Sequence, residues 1–257
     1  MKTIPDRVSS NTPPHHHLNY GRDYIIEWCG AFFRQQNRDA YMVLDIGSGS
    51  GQDLQNIRNA TPLQVTLYGI EIHEPAIRAC EGSNINVFPV DIEKEQIPVR
   101  DHFFDIIILN QVLEHTKEIF FIFSEISRVL KPEGILIVGV PNLASFHNRL
   151  LLLLGRHPTN IETLGPHVRG FTIPALKKFI EADGYFKVIE LRGSNFYPFP
   201  PVISSGLIRI FRGGSASIFF LIKKTEREGL FIEVLKDMSL ETNYFTGTRD
   251  KLLKAHK

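Results

Sequence analysis

Gly47, Gly49 and Gly51 stand at alternate positions directly after the apolar run Met42-Val43-Leu44-Asp45-Ile46. Such a run reads as a buried parallel strand. The glycines supply the positive φ angles of a tight turn and let backbone N–H groups approach a bound molecule. Carboxylates follow at intervals: Asp45 near the end of the first strand, Glu71 closing a second over 64–70, and Asp91 closing a third over 85–90. Ligands of open parallel sheets lie beyond the carboxyl ends of the strands, so the three acids are expected to meet at one edge. A carboxylate at the end of the second strand can accept hydrogen bonds from both hydroxyls of a ribose. Asp91 can accept from the exocyclic amino group of adenine while the Ile92 amide donates to a ring nitrogen. An acidic rim and the lack of a P-loop lysine disfavour a polyphosphate. Gln52 interrupts G-x-G-x-x-G, which argues against a nicotinamide dinucleotide and the oxidoreductase it would serve.

The elements needed to hold these residues can be read from periodicity. Ile25, Ile26, Trp28, Cys29, Phe32 and Phe33 recur at helical spacing before the first strand. A short helix follows the glycines, a second covers 75–81, and the run at 103–109 has the composition of a central strand. Ile119, Ile122, Ile126 and Val129 mark one helix face, which Leu130-Lys131-Pro132-Glu133-Gly134 should end before a fifth strand over 135–140. Strands and helices in alternation predict an α/β fold with a parallel sheet covered on both faces. Beyond Asn142 the pattern predicts an apolar helix over 143–154, too short to span a bilayer. A loop rich in His and Arg, a helix over 174–182, and strands over 186–191 and 215–222 follow.

Composition sets limits on partners and compartment. The 257 residues carry a formal net charge of +1, which gives no reason to expect nucleic acid, and 43% hydrophobic residues suit a folded domain. Cys29 and Cys80 have no metal-ligand spacing and read as buried thiols of a reducing compartment, so a cytoplasmic location is expected. Residues 1–20 are polar and proline-containing and read as a flexible arm. Its His15, His16 and His17 read as a solvated segment, and no bound metal is expected.

The ordered set Val43-Leu44-Asp45-Ile46-Gly47-Ser48-Gly49-Ser50-Gly51, Gly69-Ile70-Glu71, Val90-Asp91-Ile92, Phe104-Asp105-Ile106 through Leu113-Glu114-His115, and Leu130-Lys131-Pro132-Glu133-Gly134 resembles class I S-adenosylmethionine-dependent methyltransferases. Leu113-Glu114-His115, Pro141-Asn142 and His167-Val168-Arg169-Gly170-Phe171-Thr172 further resemble the branch that modifies small molecules, lipids and sugars. The resemblance implies a Rossmann-like, seven-stranded, mostly parallel sheet of order 3-2-1-4-5-7-6 with the seventh strand antiparallel and helices on both faces. It implies S-adenosyl-L-methionine as cofactor, released as S-adenosyl-L-homocysteine. Asp45, Gly47, Ser48, Gly49 and Gly51 would surround the methionine moiety, Glu71 and Ile72 the ribose end, and Asp91 and Ile92 the adenine. Asn110 and Gln111 would lie near the methyl group. The domain would span 21–225, with lid or substrate-binding insertions about 142–172 and 196–214 and a C-terminal extension over 226–257.

A methyl transfer of this kind is an in-line displacement, in which positioning does most of the work. Oxygen is the expected methylated atom, on a small-molecule, lipid-linked or sugar acceptor. A hydroxyl acceptor gains from a general base, for which His115 is the first candidate, with His147 and His167 behind it. The competing role for His115 is to order its loop through hydrogen bonds. Arg149, Arg156, His167 and Arg169 could recognise an anionic acceptor or merely form a solvated rim. Glu71, Asp91 and Asp45 have plainer alternatives as a surface carboxylate, a turn residue and a buried support for the glycine turn. A non-catalytic module that binds the same cofactor is the alternative function. Stable membrane insertion is not expected, while peripheral membrane contact through 143–154 and 202–220 and a homodimer are left open.

Overall fold

The computed structural model describes residues 21–36, 38–197, 212–237 and 244–247. The expected N-terminal arm and most of the second insertion lie outside the described residues. Helix α1 (Arg22–Gln36) buries Ile25, Trp28, Cys29, Phe32 and Phe33, the stripe that their spacing predicts. Then follow β1 (Ala40–Ile46), α2 (Gln52–Asn59), β2 (Gln64–Ile70), α3 (Glu74–Gly82), β3 (Asn86–Phe88) and β4 (Phe104–Asn110). The second half comprises α4 (Ile119–Val129), β5 (Leu130–Pro141), α5 (Phe146–Leu153), α6 (Ile173–Ile180), β6 (Phe186–Ser194) and β7 (Ser217–Lys224).

The sheet has seven strands in the order β3-β2-β1-β4-β5-β7-β6. The first five strands pair in parallel, and β7 is antiparallel to both β5 and β6. Alternation along β4 divides the core between the two faces: Ile106 and Ile108 pack with Trp28, Phe32 and Leu54, Ile107 and Leu109 with Phe123, Leu136 and Phe220. Strand order reverses between β1 and β4, so the crevice for a ligand opens where the glycine turn leaves β1.

Several boundaries differ from the sequence pattern. Leu130 to Gly134 does not separate α4 from β5: the strand begins at Leu130, pairs there with Phe104, and resumes pairing between Ile106 and Ile135 after a shift in register. Glu133 takes the bend with φ 65°. Lys224 explains the early start. Its buried Nζ donates to Ser127 O and Leu130 O and thereby holds the junction where α4 runs into β5. β3 is shorter than expected, and β7 extends to Lys224. The weakly patterned segment after 226 also contributes to the core. Residues Phe231–Asp237 form a 3-10 turn whose fully buried Phe231 packs against Phe123, Phe179 and Phe186.

Helix α4 buries all eleven of its residues, including the Glu125–Arg128 ion pair at 2.6 Å. Arg128 also donates to the carbonyls of Ile97 and Val99, and Glu125 accepts from Ile97 N, so the pair ties down the crossover before β4. A buried pair so completely hydrogen-bonded is tolerated in a low-dielectric core, whereas losing one member leaves an uncompensated charge.

Candidate active site

The glycine turn is built from its own backbone. Gly47 N and Ser48 N both donate to Ile70 O, at 2.8 and 3.1 Å, and Gly51 N donates to Ser48 O. Gly51 has φ 77°, and a Cβ there would lie 2.4 Å from Ile85 Cδ1, so both backbone conformation and space demand glycine. Gly49 differs. Its φ is 50°, and a Cβ would meet nothing within 4 Å, which leaves open room beside this stretch of backbone.

Glu71 is 8% exposed and ties this turn to the end of β2. Its Oε2 accepts from Gly49 N at 3.0 Å, and its Oε1 from Ile72 N and His73 N at 2.8 and 2.9 Å. A carboxylate has lone pairs beyond these three bonds, so ribose hydroxyls remain chemically admissible partners. Asp45 is buried. Its carboxyl is pushed well above the ordinary range by burial first, then by the nearby charges of Asp53 and Glu71.

A cleft of about 320 Å³ opens here, lined by Arg22, Asp45, Gly47 to Ser50, Gln52, Asp53, Asn110 and Gln111. The structure therefore brings together Asp45, Gly47, Ser48, Gly49, Asn110 and Gln111 as expected, with Gly51 supporting the turn from below. Arg22 and Asp53 belong to the same wall and carried no expected role. Asp53 binds Arg22 Nε at 2.9 Å and accepts from Asn110 Nδ2 at 3.1 Å, linking α1, α2 and the end of β4. The signal for Asp53 is an acid in the first turn of the helix that follows the glycines. Gln111 adopts φ 57°, uncommon for a residue other than glycine, and its buried Nε2 has no hydrogen-bond partner. Strain and an unsatisfied donor at one cleft residue are marks of a ligand site.

Asp91 is not part of the cleft lining. Its carboxylate pairs with Lys94 Nζ at 2.6 Å and accepts from Glu93 N, and the Lys94 bond holds it below its usual value. These bonds suit a turn residue, and Glu71 likewise lies outside the cleft lining. Ile92 is half-buried against the core, while Ile72 is 59% exposed beside Glu71.

Past Gln111 the chain makes a 3-10 turn, Leu113–His115. Val168 N and Arg169 N donate to Glu114 O, which docks the His- and Arg-rich loop against this turn. His115 Nδ1 lies 3.3 Å from Pro166 O, and its ring meets that of His167 edge to face at 4.6 Å. Burial, then the neighbouring His167, lowers its pKa and so favours the neutral ring. Arg149 donates to Ala144 O and Gly213 O, Arg169 to Lys117 O, and His147 packs edge to face on Tyr197. Arg149 and Arg169 thus order backbone around the insertion. Buried Asn142 and Asn148 carry much of the same work through Gly213, Ser215, Asn160 and Thr159.

Comparison with known proteins agrees with this geometry. Residues 44–138 match the family model of a methyltransferase domain. Over 107 residues the chain is 30% identical to the uncharacterized protein MJ1123 of Methanocaldococcus jannaschii, covering 42% of this chain and 48% of that protein. The chain thus spans about half the length of that curated relative. A solved S-adenosylmethionine-dependent methyltransferase from Archaeoglobus fulgidus aligns at 20% identity and TM-score 0.53, over 77% of this chain and 94% of that one. The plantazolicin methyltransferase BpumL, solved with a substrate analogue and S-adenosylhomocysteine, aligns at 16% identity and TM-score 0.55, over 82% and 87%. Residues 44–138 thus match a methyltransferase domain, and most of the chain shares its fold with solved S-adenosylmethionine-dependent methyltransferases.

Proposed function

We propose that the protein methylates a hydroxyl oxygen of a small-molecule or lipid-linked acceptor, sugars included. The observation that supports this reading is the cleft between the glycine turn and Gln111, with His115 on the 3-10 turn that follows Gln111 in the chain. Glu71 would take the ribose hydroxyls, with exposed Ile72 and the Asp91–Ile92 turn at the adenine end. The open room at Gly49 and the polar wall carrying Arg22 and Asp53 suit the methionine portion, which bears both an ammonium and a carboxylate. When bound, S-adenosylmethionine supplies an activated methyl group on its sulfonium. The chain supplies position, exclusion of water and, for a hydroxyl, the proton acceptor His115.

The acceptor side favours an apolar compound. Leu150, Leu152, Leu153, Leu154, Leu164 and Val168 are all exposed on the insertion that docks onto the His115 turn. Among the described residues no helix is long and apolar enough to cross a membrane, so an acceptor carried in lipid would be met from the surface. Calorimetry with S-adenosylhomocysteine, followed by acceptor pools screened with methyl-labelled cofactor, tests the proposal. The expected result is saturable binding and label on oxygen of an apolar acceptor. Label on nitrogen or sulfur removes the acceptor assignment, and absence of cofactor binding removes the whole reading.

A further inference from the structure

Glu114, His115 and His167 offer ligand atoms that all lie within 4.8 Å of one another. Glu114 is 2% exposed, and its Oε2 has no hydrogen-bond partner. A carboxylate oxygen buried in that way is a standing cost unless something neutralises it. The two imidazoles are already arranged. His115 Nδ1 faces Pro166 O at 3.3 Å, and His167 Nδ1 faces Asn160 O at 2.9 Å. A carbonyl only accepts, so each Nδ1 carries a proton, and a neutral ring in that tautomer has its lone pair on Nε2. Metal-bound histidines are commonly oriented by such a ring N–H to carbonyl bond.

We propose that Glu114, His115 and His167 form a binding site for a divalent transition cation, with Zn²⁺ the best-matched ion. Two imidazoles and one carboxylate give a mixed nitrogen and oxygen set that suits Zn²⁺, whereas Ca²⁺ and Mg²⁺ prefer oxygen. The cation would bridge the turn after β4 to the loop carrying His167, adding a clasp to the bonds from Val168 N and Arg169 N to Glu114 O. The sequence pattern led to no expected metal because His167 is far from the adjacent pair in the chain. A cation on His115 Nε2 leaves that ring no site for a proton, so base catalysis by His115 belongs to the metal-free protein.

The test uses the full chain with His15, His16 and His17 replaced by Ala, which removes the other histidine cluster as a ligand. Chelator-stripped protein is titrated with Zn²⁺ against a chromophoric chelator, and Tm is read with and without Zn²⁺, both in the absence of cofactor. The expected result is a single saturable ion per chain and a raised Tm. Glu114→Gln and His167→Ala should each weaken binding at least about tenfold and remove the rise in Tm. His167 lies on a loop and is partly exposed, so its variant keeps the test decisive even where Glu114→Gln impairs folding. No saturable binding by the parent, or equal affinity in His167→Ala, overturns the site.

Discussion

The glycine turn and the segment that follows β4 are built by different means. On the proposed cofactor side, Gly47 N and Ser48 N bond to Ile70 O, and Glu71 closes the arrangement through Gly49, Ile72 and His73, between the ends of β1 and β2. On the acceptor side, the 3-10 turn at Leu113–His115 is held by residues 166 to 169, and the insertion is held by Asn142, Asn148 and Arg149 reaching to distant carbonyls. The first region is held by bonds that converge on the end of β2, at Ile70 O and the Glu71 carboxylate. The second leaves five large apolar side chains of residues 150 to 164 exposed and so has surface available to adapt to an acceptor.

The largest effect expected from this contrast is at Glu71. Glu71→Ala removes three charge-assisted acceptor bonds to the turn together with the proposed ribose contact. Calorimetry should show S-adenosylhomocysteine binding weakened about 100-fold or more, on the order of 3 kcal/mol. Arg169→Ala, which removes a bond to Lys117 O on the acceptor side, should leave cofactor affinity within about threefold of the parent, under about 0.7 kcal/mol. Equal losses in the two variants would break the division between the regions.

A matched pair of glycines tests whether packing differs as bonding does. Gly51 and Gly155 both have positive φ, 77° and 67°, but an added Cβ meets Ile85 Cδ1 at 2.4 Å in the first case and nothing within 4 Å in the second. Backbone strain is therefore common to Gly51→Ala and Gly155→Ala, and the clash is peculiar to the former. Urea unfolding should show Gly51→Ala losing about 1–3 kcal/mol more than Gly155→Ala. Similar losses would mean that α2 and the Ile85 segment adjust freely and that the cofactor side is less rigid than its bonding indicates.

The same difference explains what could be read from the chain alone. The alternation of strands and helices and the glycine turn were legible because each is fixed by a period or a turn, whereas the strand order was implied by the family resemblance. Asn110 and Gln111 were also named from that resemblance, and they line the cleft with Asp45. Asp53 escaped because its meaning lies in Arg22 and Asn110, which come from other elements. Asp91 was placed at a strand end, yet β3 stops at Phe88 and the carboxylate is taken up by its own turn. The early start of β5 depends on Lys224, and the burial of Phe231 depends on an aromatic pocket formed by α4, α6 and β6. Neither has a local signature. Long-range contacts make the acceptor side, so its residues were named as chemical types before their partners were known.

The smallest effect expected concerns the exposed leucines. Leu153 and Leu154 are 82% and 65% exposed, so replacing both with Ser removes little apolar area from the folded core. The urea midpoint should correspond to a change within about 0.5 kcal/mol, and S-adenosylhomocysteine affinity should match the parent. A larger loss of stability would show that these side chains are covered by another part of the fold or by a second chain, and the adaptable surface would then be an interface. Unchanged stability and cofactor affinity would mean that neither the core nor the cofactor side depends on these leucines. Apolar surface of that kind is accounted for by what it meets outside the fold. For this chain, the proposed occupant is the acceptor.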